Sequence, residues 1–383
     1  MLKIKIILAL DAYKGSLTQI DAIKVMKSAI QDVFPYADIV EMPMADGGEG
    51  TLDVISYAMP SVEKVPICVT GPHGKKIDTS MGVMNEETAL IEIAKIAGLT
   101  HVPEQNRNPL NMTTYGIGEA IQIALDSGIR KFIIALGGSA TNDGGIGMLL
   151  ALGADIRDKV KQMISKYGKG LLTIKSVNID PVMDRLGTCT FQIATDVTNP
   201  LLGKQGASEV YGPQKGATAE QIKSLDEGLA NFCHVMEQSY PHFINIHKQS
   251  GTGAAGGLGY AFRLLGGRQY SGASLIGEMM GLGGEIQDAD LVITGEGKSD
   301  AQTLLGKVPF YVAKLANMHG KQVCLVSGTI EGRENIQDYY TRLYELKNES
   351  MSVKQAMEQA ESLLYNQTRQ MIVDFIEGRN ETC

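Results

Sequence analysis

Three observations predict an α/β fold. Short apolar runs alternate with stretches of helical spacing, glycine closes almost every apolar run, and the polar loops fall after the strands rather than before them. Alternation of this kind builds a parallel, doubly wound sheet with ligands taken beyond the carboxyl ends of its strands. At 383 residues the chain exceeds one ordinary core, so two domains are expected.

The elements follow in order. Lys3 to Leu10 is an apolar, β-branched run, and Ile20, Ile23, Met26, Ile30 and Val33 then recur at helical spacing. Ser16 with Gln19 three residues later makes a capping-box signature at the helix start, and Pro35 ends the helix. Ile39 to Met44 reads as a second strand and Thr51 to Met59 as a second helix. From Val62 to about Leu99 the pattern changes to three adjacent strand-like runs, VEKVPICVTGP, KIDTSMGVM and TALIEIA. A helix capped by Thr113 or Thr114 runs to Ala124; Phe132 to Leu136 is a strand, Gly145 to Leu152 a helix, Phe191 to Val197 a strand, and Ala219 to about Glu237 a long helix. Strict alternation then returns with strand Leu291 to Thr294, helix Val308 to Met318 and strand Val323 to Val326. Ser352 to Phe375 is an amphipathic helix. The expected domains are therefore residues 1–70 with 283–383, doubly wound, and residues 71–282, a second α/β domain inserted into the first. A cleft between the two would gather the loops.

Composition narrows the function. A formal net charge of −8 leaves no basic surplus for a nucleic acid or an anionic membrane, so any anion site must be local. Five cysteines, odd in number, scattered and never in a CxxC pair, disfavour a disulfide framework and a cysteine zinc site, and fit a reducing cytoplasm. The apolar run at the start is cut by Lys5 and ended by Asp11, too short for a signal-peptide core or a bilayer span.

The chemistry gathers in four glycine-rich loops. Lys131 to Gly145, KFIIALGGSATNDGG, is the richest; ADGGEGT (45–51), GTGAAGGLG (251–259) and TGEGKSD (294–300) repeat the theme. Paired glycines let bare N–H groups approach an anion, and a helix starting near Gly144 would add its positive end. Carboxylates follow the strands at Asp11, Asp46, Glu49, Asp143, Asp196, Glu296 and Asp300. Converging acids repel unless a divalent cation offsets them, and oxygen ligands suit Mg²⁺. Taken singly, each Asp is read as readily as a helix cap or an Asx turn. Lys14, Arg107, Lys215 and Lys307 lie in loops flanked by Gly, Pro or Asn, where a cation can meet an anionic substrate as well as solvent. GTGAAG matches the dinucleotide fingerprint GxGxxG but follows polar HKQS instead of a strand, and GEGKS lacks the first glycine of a P-loop.

Taken together, these motifs resemble the bacterial type I glycerate kinases. DAYKGSL, MADGGEGT, VTGP, RNPLNMTTYGIGE, GGSATNDGG, DVTNPLLG, GPQKGAT, GAAGGLG and ITGEGKSDAQTLLGK occur in the family's order across essentially the whole chain. Ala12 and Tyr13, where DSFKGSL is usual, and Ser299, where an apolar residue is commoner, are the departures. The resemblance implies a two-domain fold, the doubly wound one Rossmann-like or flavodoxin-like, and ATP- and Mg²⁺-dependent phosphorylation of D-glycerate, generally on the 2-hydroxyl. On it, Asp196 is expected as base or metal ligand, Asp46 and Asp300 as further metal ligands, and Lys14 and Asp46 beside Asp196 in catalysis. Lys14 and Arg107 would hold the glycerate carboxylate, with Asp11 and Glu49 also in the substrate site. Gly137, Gly138, Ser139, Thr141, Asp143 and Lys215 would bind the nucleotide phosphates. Other readings kept open are phosphorylation at the 3-position, an NAD-dependent hydroxy-acid oxidoreductase resting on GTGAAG, and a non-catalytic organic-acid-binding protein; monomer and dimer are equally open.

Overall fold

The computed structural model describes residues 4–380. Among the described residues thirteen strands occur in chain order: β1 (Lys5–Leu10), β2 (Asp38–Glu41), β3 (Val62–Thr70), β4 (Lys76–Met84), β5 (Thr88–Glu92), β6 (Lys131–Ala135), β7 (Asp155–Arg157), β8 (Ser176–Asn178), β9 (Thr190–Ala194), β10 (Arg268–Tyr270), β11 (Leu291–Ser299), β12 (Gln322–Ile330) and β13 (Arg342–Glu345). The chain divides into two compact units. One comprises residues up to Asp46, 53–60 and 273 onward; the other comprises Gly47–Leu52 and Ser61–Gly272.

The first unit carries an entirely parallel sheet in the order β13-β12-β11-β1-β2. Its three central strands, β11, β1 and β12, are largely buried on both faces, as near-continuous apolar runs require, while the edge strands β2 and β13 are half-buried. Ile6, Leu8 and Leu10 of β1 pack with Ile23, Met26 and Ile30 of helix Gln19–Val33 and with Leu364, Met371 and Ile372 of helix Ala360–Asn380. The alternate residues Ile7 and Ala9 face the other way, onto Val308, Val312 and Ala316 of helix Val308–Met318 and onto Leu282 and Ile286. From β1 the chain runs outward to β2 and later returns on β1's other side as β11, so the order reverses between β1 and β11. In open sheets of this class that reversal opens the ligand crevice.

The second unit carries a six-stranded sheet, β10-β9-β6-β5-β4-β3. β5, β6, β9 and β10 are parallel, while β3 and β4 join as an antiparallel meander, the three adjacent runs after Val62. Phe132 stacks on Phe191 across β6 and β9, ring centroids 5.0 Å apart, inside one continuous core. Among the described residues no helix is long and apolar enough to cross a membrane.

Several boundaries differ from those expected. Residues 62–70 pair along the whole of β4 and so belong to the second unit, whereas 273–282 join the first, because Ala273 and Leu282 lie in its core. The first long helix is capped by Thr18, whose hydroxyl accepts the Asp21 N–H at 3.1 Å; Ser16 donates instead to the Tyr13 carbonyl. β11 and β12 run to Ser299 and Ile330, beyond the apolar runs, because they go on pairing through their polar ends. The C-terminal amphipathic stretch is two helices, Val353–Glu358 and Ala360–Asn380.

Candidate active site

In the first unit the reversal point is marked by Asp11. Its N–H donates to the Gly295 carbonyl at 2.9 Å, tying the end of β1 to β11. Its Oδ1 accepts the Ala12 N–H at 2.7 Å, and Oδ2 accepts no hydrogen bond among the described residues. The residue is only 7% exposed. Burial first, and the charge of Asp46 second, push the Asp11 carboxyl up to about 7, with Glu296 adding to the rise; the Ala12 N–H and Lys14 act against them.

Tyr13 shapes the loop that follows. Its backbone pairs with Leu17 in both directions at 3.0 Å, and its buried phenol donates to the Val326 carbonyl at 2.8 Å. This leaves Lys14 at the loop tip, its side chain 81% exposed and its Nζ 4.0 Å from Asp46 Oδ2. So open a pair contributes little stability, and the cation stays available to an anion.

Glu296, in the next β11 position after Gly295, was noted in the sequence only as a strand-end acid. In the structure it is the most elaborately held carboxylate of the unit. Oε1 accepts the Ser299 and Thr303 hydroxyls at 2.9 and 2.7 Å, and Lys307 Nζ lies 3.7 Å from Oε2. Burial raises its pKa, opposed by Thr303, Lys307 and Ser299. Its sequence signal was only an acid two residues beyond the apolar run LVIT; that Asp11 and Glu296 follow the paired residues Leu10 and Gly295 emerges from the strand register. Asp300 takes a more local part: Oδ1 accepts the Gln302 N–H at 2.9 Å and Oδ2 lies 3.7 Å from Lys298 Nζ.

In the second unit the loop after β6 is pressed against the ADGGEG loop. The Gly137 N–H donates to the Gly47 carbonyl at 2.9 Å, and a Cβ on Gly137 would stand 2.5 Å from the Gly48 Cα. Gly138, at φ +70, is exposed and Gly137 half-buried, whereas Ser139, Thr141, Asn142 and Asp143 are buried. The phosphate-binding set expected from sequence thus separates into two layers: the glycine pair reaches the surface and the polar side chains lie beneath.

Asp143 is a clip. Oδ2 accepts both the N–H and the hydroxyl of Thr114 at 2.8 Å, and Oδ1 accepts the Gly145 N–H at 3.0 Å, joining the starts of helices Tyr115–Asp126 and Ile146–Leu152. Burial raises its pKa and these donors oppose the rise. Lys215 lies in the same layer, 3% exposed, donating to Ser139 Oγ at 3.1 Å and the Thr141 carbonyl at 2.6 Å. Burial pushes its ammonium down to about 7, against the pull of Asp143. Arg107 is engaged as well, donating to the Gln214 carbonyl at 3.2 Å and the Val102 carbonyl at 3.4 Å.

Asp196 follows β9 half-buried, its Oδ1 accepting the Gly272 N–H at 3.1 Å. Glu49 is exposed. Glu92, which sequence reading passed over, is a buried carboxylate whose oxygens accept the Gly50 and Leu52 N–H groups at 2.9 Å each, fixing the start of helix Thr51–Ala58. Its signal was faint, an acid at the end of an apolar strand.

Among the described residues no group of three or more His, Cys, Asp or Glu could hold a metal ion unaided. Of the expected metal ligands, Asp46 and Asp300 belong to the first unit and Asp196 to the second. GTGAAG is no dinucleotide fingerprint either. A 3₁₀ turn, Ile246–Lys248, precedes it, and Ala255, Gly256 and Gly257 are left-handed at φ 51, 69 and 90, with the Gly256 carbonyl accepting the Gly144 N–H at 3.0 Å. The loop braces GGSATNDGG from inside the unit.

The model of the glycerate kinase family matches residues 6–376. A glycerate kinase of Haemophilus influenzae is 42% identical over 329 residues, 85% of this chain and 86% of its own. A glycerate 2-kinase of Escherichia coli is 40% identical over 328 residues, 85% of each chain. The crystal structure of a Salmonella typhimurium LT2 protein provisionally called glycerate kinase 2 superposes with a TM-score of 0.85 at 37% identity, over 99% of this chain and 100% of that one. A family match spanning nearly the whole sequence and the shared architecture lead to one conclusion: this chain belongs to the glycerate kinase family and is a phosphotransferase.

Proposed function

We propose that the protein transfers the γ-phosphoryl group of ATP to the 2-hydroxyl of D-glycerate, with Mg²⁺, yielding 2-phospho-D-glycerate and ADP. The observation that carries this reading is the gathering of Asp11, Lys14 and Asp46 where the parallel sheet reverses, with Lys14 Nζ 4.0 Å from Asp46 Oδ2 and its charge acting on Asp11. There a buried carboxylate with one open oxygen stands beside an exposed cation. Phosphoryl transfer asks the protein for alignment, charge neutralisation and an acceptor for the hydroxyl proton. Lys14 holds the glycerate carboxylate, and Asp11 Oδ2 takes the proton of the hydroxyl. Gly138, exposed at φ +70, offers its backbone N–H to the nucleotide phosphates. The name carried by the Escherichia coli relative favours the 2-position.

Mg²⁺ fits the residues present on one condition. It binds with one or two carboxylates, several waters and substrate phosphates, and that donor set does not need a three-acid cage. Asp46, half-buried beside Lys14 in the first unit, is the residue for it. When bound, the ion screens the phosphate charge as it is transferred.

The test is release of ADP from Mg-ATP that depends on D-glycerate, with the product identified by NMR. The 2-phosphate is expected. A 3-phosphate product would overturn the position, and no glycerate-dependent ADP would overturn the whole reading. Asp11→Asn should lower kcat by roughly 10²–10⁴-fold, the contribution of a positioned proton acceptor; near-normal turnover would remove Asp11 from that role.

A further inference from the structure

A lysine buried to 3% exposure with no carboxylate bonded to it calls for a reason, because charging such a group away from water is costly. Lys215 is held from both sides. The Arg107 guanidinium donates to the carbonyl of Gln214, the residue before it. The residue after it, Gly216, sits at φ +80, close enough to the Arg107 carbonyl that a Cβ would clash. The ammonium is thus delivered to one place, and its two partners, Ser139 Oγ and the Thr141 carbonyl, flank Ala140.

The same segment is pinned along its backbone. The Ala140 N–H donates to the Ala97 carbonyl at 2.8 Å, and the Gly138 carbonyl accepts the Leu99 N–H at 2.9 Å. The loop's own side chains contribute less: Thr141 Oγ1 and Asn142 Oδ1 are buried with no hydrogen-bond partner. Cross-bracing of residues 139 and 141 therefore falls to Lys215, from the buried layer behind Gly138.

We propose that Lys215 is a positioning residue for nucleotide binding: its ammonium fixes the curve of residues 138–141 through Ser139 Oγ and the Thr141 carbonyl, and it touches no phosphate itself. The inference rests on the reading that this loop takes the nucleotide phosphates. Its consequence is a particular kinetic signature. A residue that shapes a binding loop alters nucleotide affinity, whereas a cation on the transferred phosphoryl group alters kcat.

The experiment is a double-mutant cycle on the full-length protein, reading Kd for Mg-ADP by equilibrium binding and KM for ATP with kcat by ADP release. Lys215→Met should raise Kd and KM on the order of tenfold, with kcat changed by no more than about threefold. Ser139→Ala should raise them less, and the double variant should be no worse than Lys215→Met alone, because both act through one contact. Lys215→Gln, which keeps a donor at the site, should recover part of the affinity; it also carries the test should the methionine variant not fold. A kcat loss of about a hundredfold or more at unchanged KM, or additive effects of the two substitutions, would overturn the proposal while leaving the loop as the nucleotide site. A wild-type protein that binds no Mg-ADP would overturn both.

Discussion

Individual side chains here are explained by what they hold, and two of them give sharp expectations. Asp143 satisfies the Thr114 N–H, the Thr114 hydroxyl and the Gly145 N–H in a fully buried site. Asp143→Ala leaves three buried donors without an acceptor, each costing about 1 kcal/mol or more, so urea unfolding should show a loss of at least about 3 kcal/mol. Lys215 gives a pH signature. Its ammonium loses its proton near 7 in the folded chain and near the ordinary lysine value when unfolded. Between those values the unfolded chain holds more protons, so this residue makes stability rise with pH, by up to about 1.4 kcal/mol per pH unit. Thermal midpoints from pH 7 to 10 should show the rise in the wild type and a flatter profile in Lys215→Met. An identical profile in both would show that the residue stays charged. Neither role was legible beforehand: a Gly-flanked lysine and an Asp before two glycines suggest ligand contacts, and only burial shows that both face inward.

At the scale of elements, the fold is assembled from loops that press on one another without side chains between them. Gly137 lies against Gly48, and Gly256 against the Thr141 carbonyl. Gly137 does not have a left-handed φ, so what excludes a side chain there is proximity, not strain. Gly137→Ala must push the two loops apart. It should weaken Mg-ATP binding by tenfold or more, or about 1.4 kcal/mol, while circular dichroism still reports a folded chain; unchanged binding would separate these loops from the nucleotide. Tyr13→Phe tests the other loop. It removes only the hydroxyl bond to the Val326 carbonyl, and about 1 kcal/mol of stability should go with it. KM for D-glycerate should rise as Lys14 loses its fixed mount; a KM equal to the wild type's would show that the Leu17 pairing alone holds the loop. The elements themselves were largely readable. Helix Val308–Met318 was expected at those residues, and so were the three adjacent strands after Val62, because apolar period and glycine punctuation both mark them. Strands β11 and β12 were read short, since their polar ends pair with neighbours that are distant in sequence.

For the whole molecule, two units with separate cores bring an expectation about cooperativity. One core contains Phe132, Phe191 and Leu229; the others contain Leu8, Ile23 and Met371, or Ile7, Val312 and Leu325. Calorimetry should give a measured enthalpy exceeding the van't Hoff enthalpy, the mark of unfolding in more than one step; equality would show that the two units melt together. The sequence by itself determined the α/β class, the assembly of a doubly wound sheet from both ends of the chain, and the family, because these rest on local periodicity and on motifs that keep their order. It also gave the residue types of the chemistry: acids at strand ends, glycine pairs and loop cations. Only the tertiary structure decided which of these stay open and which are consumed in holding the fold. Asp11 keeps a carboxylate oxygen unbonded and Lys14 stays exposed, while Asp143, Lys215 and Arg107 are bound to loops far away in the chain. The reason is physical. Burial and hydrogen bonding are properties of pairs of segments, and neither Thr114 beside Asp143 nor Ser139 beside Lys215 leaves any periodic mark in the sequence.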